Sequence, residues 1–511
     1  MKYNTDNNTD STIHDLSVYH HPHYLEPLQF GGIEVKPIDL LEHVLITGGT
    51  GSGKTRSFLM PLVEETLKRF GTEAGEKAGM FLIDAKGDMS RLASECARRA
   101  GREDDVYLLG EGGNCWFPLF DQFDGDATRI ANFLYETLEE RSSGGGKIGN
   151  NNESFWAENA RRMLRASVTL AKAVHGSSLG GLTGITDAVN AILAVNRATD
   201  PTDDNCESDV HAIQACLNTA SQGLLNGCIT SSEHDDIEAY LNQDVKGGAN
   251  RTWSTIANLT RHYLAQFSQP ALRRLFEPDP AKKRITPEDI IDRGALLVVN
   301  LSPIIYGSAA APFRVAVKKA FCERMLQRDH LCTMDGDQPR PINQTRPVLF
   351  VCDEFHTTLH AGQSGEAYFL DRAREFRCMG MLATQGISAI QSVLGNSSQC
   401  DHLLNNCRTK VFFANDCPQT SVYFERIGGD EDQQVESASY VPRMAPARFR
   451  LPNHEFSPIS SLRRNALSHD VRRQPRFSAS KLRAMPNGSA LVVAKGAELA
   501  TYRKNPSDYA V

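Results

Sequence analysis

The chain has 511 residues, 41 % hydrophobic and 23 % charged, with a formal net charge of −7. That length exceeds one ordinary domain and buries at least one large core, and the balance is that of a soluble globular protein. An acidic chain is not coated in positive charge, so a nucleic acid would have to meet basic residues gathered on one surface or around a pore.

In chain order, MKYNTDNNTDSTIHD is polar and is not a signal peptide, so residues 1–27 are expected to form a flexible arm. His20, His21 and His23 lie near its end without partner cysteines or carboxylates at ligand spacing, and are read as solvated. From Leu28 to Asp121 short apolar runs alternate with helical patterns, as in HVLITG, RSFLMPLVEETLKRF, MFLIDAKGD and DVYLLG. That alternation predicts a parallel sheet with crossover helices. From Ala127 to Glu277 the strand signals vanish and apolar residues recur at three- and four-residue spacing, which predicts helices. Strands return from Arg293 with GALLVVNL, RPVLFVCDE, CMGMLATQ, TKVFFAN and SALVVAKG. SSGGGKIGNNN (142–152), TMDGDQPRPINQT (333–345) and the arginine-rich SLRRNALSHDVRRQPR (461–476) are expected as exposed loops. The economical reading is one α/β domain, 28–125 plus 286–505, split by an all-α insertion at 126–285. The twelve cysteines form no C-x-x-C pair and several lie in apolar runs, so neither a disulfide framework nor a zinc site is expected. No segment reaches the ~18 uninterrupted apolar residues of a membrane helix.

Gly48-Gly49-Thr50-Gly51-Ser52-Gly53-Lys54-Thr55 fits G-x-x-x-x-G-K-[ST], preceded by a strand and followed by a helix. The glycines let backbone N–H groups curl towards phosphate oxygens at a helix N-terminus. Lys54 is then expected on the β- and γ-phosphates of ATP and Thr55 on Mg²⁺. Two strands end in carboxylates, MFLID at Asp84 and VLFVCDE at Asp353-Glu354. Only the second supplies both a metal ligand, Asp353, and a base for the attacking water, Glu354, which a hydrolysing motor needs. Gln385 ends the next strand and is read as a γ-phosphate sensor. Arg372, Arg374 and Arg377 precede that strand; an arginine reaching a neighbouring subunit's γ-phosphate would stabilise transition-state charge.

These motifs together resemble the HerA–FtsK superfamily of ring ATPases, and within it the TraG/TraD-like coupling proteins of conjugation and type IV secretion. The resemblance is carried by LITGGTGSGKT, FLIDAKGD, CWFPL (115–119), SFWAENARRML (154–164), VLFVCDEF, REFRCMGMLATQ, LLNNCRTKVFF and FSASKLRAMPNGSALVVAKG (477–496), in the family's order over residues 30–500. Phe117 stands where the family usually has Asn, and the membrane helices with which coupling proteins usually begin are missing. The resemblance implies a RecA-like P-loop domain with an inserted all-α domain, a homohexamer with ATP sites between subunits, and a central DNA channel. It also implies Arg374, eleven residues before Gln385, as the arginine acting in trans. The implied activity is ATP-driven DNA translocation, delivering relaxase–DNA or a protein substrate to a secretion channel, from the cytoplasm or peripherally at the cytoplasmic face of the inner membrane. A membrane or secretion-channel subunit is then an expected partner. Two other readings share these motifs, a soluble HerA/FtsK-like translocase in plasmid maintenance or phage defence, and an ATP-assembled scaffold that recruits substrate without turnover. Arg161, Arg162, Arg165, Lys282, Lys283 and Arg284 are the candidate DNA contacts, and no aromatic and basic interleaving suggests base stacking.

Overall fold

The aliphatic runs become strands, the central ones buried on both faces, and nine strands join one sheet. They are β1 (Val44–Thr47), β2 (Gly79–Asp84), β3 (Val106–Gly110), β4 (Leu296–Asn300), β5 (Val348–Cys352), β6 (Cys378–Thr384), β7 (Thr409–Phe413), β8 (Ser489–Val493) and β9 (Ala500–Arg503). The sheet order is β9-β8-β7-β1-β6-β5-β2-β4-β3. Pairing is parallel from β7 to β3, and antiparallel where β8 and β9 extend the other edge. This computed structural model describes residues 22–71, 77–142, 151–194, 205–245, 253, 255–256, 258, 260, 269–360, 365–395, 397–443, 461–494 and 500–503.

Alternation along the strands divides the core. Val44, Ile46, Met80 and Leu82 face a layer built with Met60, Leu62 and Val63 of α1 (Met60–Arg69) and Met89 and Leu92 of α2 (Met89–Arg99). Leu45, Phe81 and Ile83 face the other layer. Between β3 and β4 the chain forms α3 (Ala127–Ser142), α4 (Asn151–His175), α5 (Gly181–Leu193), α6 (Asn205–Leu225), α7 (Ser231–Ala239) and α8 (Pro270–Phe276). α4 is the hub of this group, packed on α3, α5, α6 and α7. A capping box in which Thr230 and Glu233 satisfy each other's backbone N–H starts α7. After β4, α9 (Ala310–Leu326) lies on the second face of the sheet, where Phe321 stacks on Phe81 at 4.4 Å. α10 (Glu366–Ala373) follows β5.

The helical segment is stitched back at its root. Cys115–Trp116 pairs with Lys283–Arg284 in parallel, and Phe117 N–H donates to Leu275 O at 2.8 Å. The Phe117 side chain is fully buried, so at this position an apolar group fills the core. Gly79 is required by close approach, since a Cβ there would lie 2.2 Å from Ile290 O.

Three expected loops or arms differ. Residues 22–25 form a helical turn whose Tyr24 is buried against Phe70, with ring centroids 5.1 Å apart, so the end of the expected arm is docked; residues 1–21, with His20 and His21, lie outside the described residues. Cys332–Asp335 and Gln338–Pro341 pair as a hairpin around Gly336-Asp337, with Gly336 at φ 61°. Ser461–Pro475 is a strand rather than a loop, paired antiparallel with Asp430–Arg443 in a ribbon apart from the main sheet. Of 142–152, residues 143–150 lie outside the described residues and the rest continues α3 and α4.

Candidate nucleotide site

Parallel pairing brings the C-terminal ends of β7, β1, β6, β5, β2 and β4 to one edge of the sheet, where open α/β folds take their ligands. β1 delivers the Gly48–Thr55 loop to that edge. Gly51 and Gly53 have φ of 77° and 103°, which favour glycine and let the backbone curl. Gly49 N–H donates to Ala414 O beyond β7 at 2.8 Å, and Gly488 N–H ahead of β8 donates to Ser52 O at 2.9 Å. The loop is thus braced by segments from the far end of the chain. Lys54–Leu59 forms a π-helical turn that runs into α1.

The Lys54 ammonium is folded onto its own loop, donating to Gly48 O at 2.7 Å and Gly49 O at 3.1 Å. Burial lowers its pKa, against the opposing pull of Glu354 and Asp353. Thr55 Oγ1 donates to Asp353 Oδ2 at 3.1 Å, although 298 residues separate them.

Asp353 and Glu354 follow β5 and are both buried. Burial, and then the Glu354 charge, raise the Asp353 pKa. Burial would raise Glu354 too, but the Lys86 ammonium bonded to Glu354 Oε1 outweighs it and holds the carboxyl below its ordinary value. Glu354 occupies the left-handed region at φ 49°, an uncommon geometry for a residue other than glycine. Its Oε2 is buried and makes no hydrogen bond. His356 Nδ1 stands 3.6 Å from that oxygen but bonds Thr384 Oγ1 at 3.2 Å.

Asp84, the competing carboxylate, is fully buried and accepts from the backbone N–H groups of Lys86, Gly87, Met89 and Ser90 at 2.7–3.2 Å. Its oxygens are consumed in shaping the turn into α2. Gln385 ends β6 between the P-loop strand and the Asp-Glu strand; its side chain is exposed and its carbonyl accepts from Asn415 Nδ2 at 2.8 Å.

The structure brings Lys54, Thr55, Asp353, Glu354 and Gln385 to one edge, but not Arg374. Arg374 precedes β6, at the opposite edge, with its guanidinium 2.8 Å from Glu42 Oε1 ahead of β1. Seven residues of strand separate the two edges, roughly 23 Å. Arg372 lies 4.1 Å from the centroid of the Tyr368 ring, and Arg377 is buried, donating to Gln344 O. The candidate DNA contacts are engaged inside the chain. Arg162 is bidentate on Asp244 at 2.5 and 3.0 Å, Arg165 meets Asp236 at 2.7 Å, and Arg161 lies over Tyr135 at 4.4 Å. Arg284 meets Asp121 at 2.7 Å, Lys283 lies 5.7 Å from the Tyr107 ring centroid, and Lys282 N–H donates to Asp279 O at 3.0 Å.

Two site residues, Lys86 and His356, were not singled out from the sequence. The D-x-K-G spacing of FLIDAKGD was the available signal for Lys86; nothing local marks His356. As a set, the residues fit a magnesium nucleotide. A hydroxyl and a carboxylate oxygen 3.1 Å apart suit a hard cation, an ammonium lies within a glycine-rich cradle, and the buried Ser52 Oγ has no protein partner.

A family model described as the TraM recognition site of TraD and TraG matches residues 347–487. Among solved structures, the unbound monoclinic form of the bacterial conjugative coupling protein TrwBdeltaN70 aligns with a TM-score of 0.58 at 16 % identity, covering 95 % of this chain and 89 % of that one. The plasmid coupling protein TrwB in complex with the ATP analogue ADPNP, and TrwB with ADP and Mg²⁺, each align with a TM-score of 0.58 at 16 % identity, over 95 % of this chain and 90 % of theirs. No curated protein matches by sequence. The TM-score of 0.58 over 95 % of the chain shows a shared fold, a RecA-like P-loop domain with an all-α domain. The family segment at 347–487 and this fold are what the chain has in common with the TraG/TraD-like coupling proteins.

Proposed function

We propose that the chain is the ATP-driven DNA translocase of a conjugative or type IV secretion system, coupling the transferred substrate to the secretion channel. The observation that carries this reading is the Thr55–Asp353 hydrogen bond at 3.1 Å, which joins the P-loop to the Asp-Glu strand, beside which Glu354 Oε2 is buried without a hydrogen bond. A carboxylate oxygen in that state suits the in-line water of a hydrolase better than the interior of a scaffold. TrwB, which shares the fold, has been seen with ADPNP and with ADP and Mg²⁺, and this supports the same ligands here.

In this reading Gly48–Thr55 cradle the phosphates of ATP, with Lys54 leaving its loop carbonyls for the β- and γ-phosphates. Thr55 and Asp353 hold Mg²⁺, which when bound neutralises phosphate charge. Glu354 takes the proton of the attacking water, and Gln385 reports the γ-phosphate from the end of β6. Arg374 serves the neighbouring subunit's site, in keeping with its place on the opposite edge. Residues 28–125 and 286–505 act as the motor and 126–285 as the inserted helical domain of a homohexamer. The TraM-recognition description of 347–487 supports a protein partner on the DNA-processing side, a relaxase or secreted protein being the substrate class. Among the described residues no helix is long and apolar enough to cross a membrane.

The test is ATP hydrolysis with and without single- and double-stranded DNA, alongside the oligomeric mass. DNA-stimulated turnover by a hexamer, lost in Lys54→Ala and in Glu354→Gln with nucleotide binding kept in the latter, is the expected result. Transport surviving Glu354→Gln would favour the scaffold.

A further inference from the structure

We propose that Lys86 is a positioning residue for hydrolysis, fixing the Glu354 carboxylate so that one oxygen is occupied and the other is presented to the attacking water. The inference rests on the reading of Glu354 as the base. It starts from an asymmetry between the two oxygens. Oε1 bonds the Lys86 ammonium, whereas Oε2 is buried and bonds nothing. A free carboxylate rotates between equivalent oxygens; a carboxylate with one oxygen tethered has a single accepting direction.

The tether is itself held at both ends. On the Glu354 side, Glu354 N–H donates to Asp353 Oδ1 at 3.0 Å and Thr357 N–H donates to Glu354 O at 2.8 Å, which fixes the left-handed backbone. On the Lys86 side, the turn is pinned by the four N–H groups that converge on Asp84, and Ser302 Oγ donates to Lys86 O at 3.3 Å. The buried Asp84 therefore acts through the turn that presents Lys86 rather than at the reacting atoms.

The bland alternative is an ordinary surface ion pair, worth little because water replaces either partner. Here the partners are unequal. The Lys86 side chain is 47 % exposed, but that of Glu354 is 4 % exposed, so removing the ammonium leaves a buried carboxylate beside Asp353 without its counter-charge. Lys54 does not substitute, because its ammonium is held by Gly48 and Gly49 in this structure and is taken by the phosphates in the reading above. A lysine suits this position, because its long stem reaches from the β2 end across to the β5 end and its point charge occupies one oxygen.

The experiment compares wild type, Lys86→Met, Lys86→Arg and Glu354→Gln as full-length protein. It reads DNA-saturated ATP hydrolysis, equilibrium binding of a fluorescent ATP analogue, and thermal melting. Because a general base contributes about 10²–10⁴-fold, Lys86→Met is expected to lower kcat by at least about tenfold, with KM and analogue affinity within about twofold of wild type. Lys86→Arg, which restores a cation at that oxygen, is expected to recover most of the loss with an unchanged melting temperature. Unchanged or faster turnover in Lys86→Met, or a loss carried by KM and analogue affinity, would overturn the proposal, assigning Lys86 respectively to no role, a brake, or phosphate binding. Failure of Lys86→Arg to recover activity in a protein that melts normally would overturn it too. If Glu354→Gln itself turns over normally, the base reading fails and takes this one with it; an inactive Glu354→Gln beside an active Lys86→Met sinks only the role of Lys86.

Discussion

Arg374 and Glu42 form an ion pair at 2.8 Å on the edge of the sheet that faces away from Lys54. The carboxylate of Glu42 also lies 3.9 Å from Arg408, so it is shared by two guanidinium groups, and Arg374 itself is 52 % exposed. An arginine so placed cannot reach its own P-loop across the sheet. It can be offered to a second subunit whose nucleotide edge packs against this one.

That arrangement makes a complementation experiment decisive. Lys54→Ala and Arg374→Ala are each expected to abolish ATP hydrolysis, the second by about 10³-fold or more if it neutralises transition-state charge. Mixed in equal amounts, the two inactive proteins are expected to regain a measurable fraction of wild-type turnover, because some interfaces then pair an intact Lys54 with an intact Arg374. A mixture as inactive as its components would remove Arg374 from the neighbouring site.

His43 helps to seat α10, the helix that ends just before Arg374. It is buried, at φ 60°, with Nε2 bonded to Leu370 O in α10 at 2.8 Å and Nδ1 accepting from Gly380 N–H in β6 at 3.0 Å. Burial is the main cause of a pKa lowered to about 4, so the folded protein holds the neutral ring. A depressed pKa means that the unfolded state binds more protons below about 6.5; the contribution of His43 to stability is present above that pH and is lost as pH falls towards 4. Urea midpoints measured from pH 7 to pH 4 are therefore expected to fall more steeply in wild type than in His43→Ala. At pH 7 that variant should be less stable by about 2–4 kcal/mol, because two buried backbone groups lose their partner.

Lys318 and Glu366 supply a test of the core beneath the site. Both side chains are essentially unexposed and paired, and the ammonium also reaches Thr358 O and His360 Nδ1, tying α9 to the segment after Glu354 and to the start of α10. Lys318→Met alone leaves an uncompensated buried carboxylate and is expected to cost about 3–5 kcal/mol in urea unfolding. Lys318→Met with Glu366→Leu should recover much of that loss, since two apolar groups no longer demand a counter-charge. Equal losses in the single and double variants would contradict this.

What could be read from the sequence was what proximity in the chain encodes. Gly48–Thr55 is one continuous loop, and the Asp353-Glu354 and Gln385 positions each terminate an apolar run, so their common edge followed from parallel pairing. Lys86 was legible only as part of a motif, because its partner lies 268 residues away and no local pattern says that the two strand ends are neighbours. The hairpin around Gly336-Asp337 did carry a local signal, a glycine-containing two-residue turn, but its strands are polar and exposed and so lacked the alternation that marks a half-buried pair. The basic residues near the helical segment were legible only as charge, because Arg162, Arg165 and Arg284 meet carboxylates that folding alone brings to them.

The same limit explains the ribbon of Asp430–Arg443 with Ser461–Pro475, and it yields a last prediction. SLRRNALSHDVRRQP has no apolar alternation, because this strand pairs only with its partner and adds nothing to the main sheet. At its base, Arg476 N–H donates to Gly429 O at 2.9 Å, and Phe477 stacks on Phe424 at 5.1 Å, so the flanks are already held together without the ribbon. Replacing residues 431–474 by a short glycine–serine turn is therefore expected to leave the melting temperature within about 3 °C and the basal ATP hydrolysis within about twofold, since among the described residues the deleted strand-pairing hydrogen bonds are internal to the ribbon. An isolated two-stranded ribbon is marginal in water, and in the hexamer proposed above a neighbouring subunit would be its support. Oligomeric mass, DNA stimulation and partner capture should then report the deletion where basal turnover does not. A large drop in melting temperature would instead mean that the ribbon belongs to the core of the subunit.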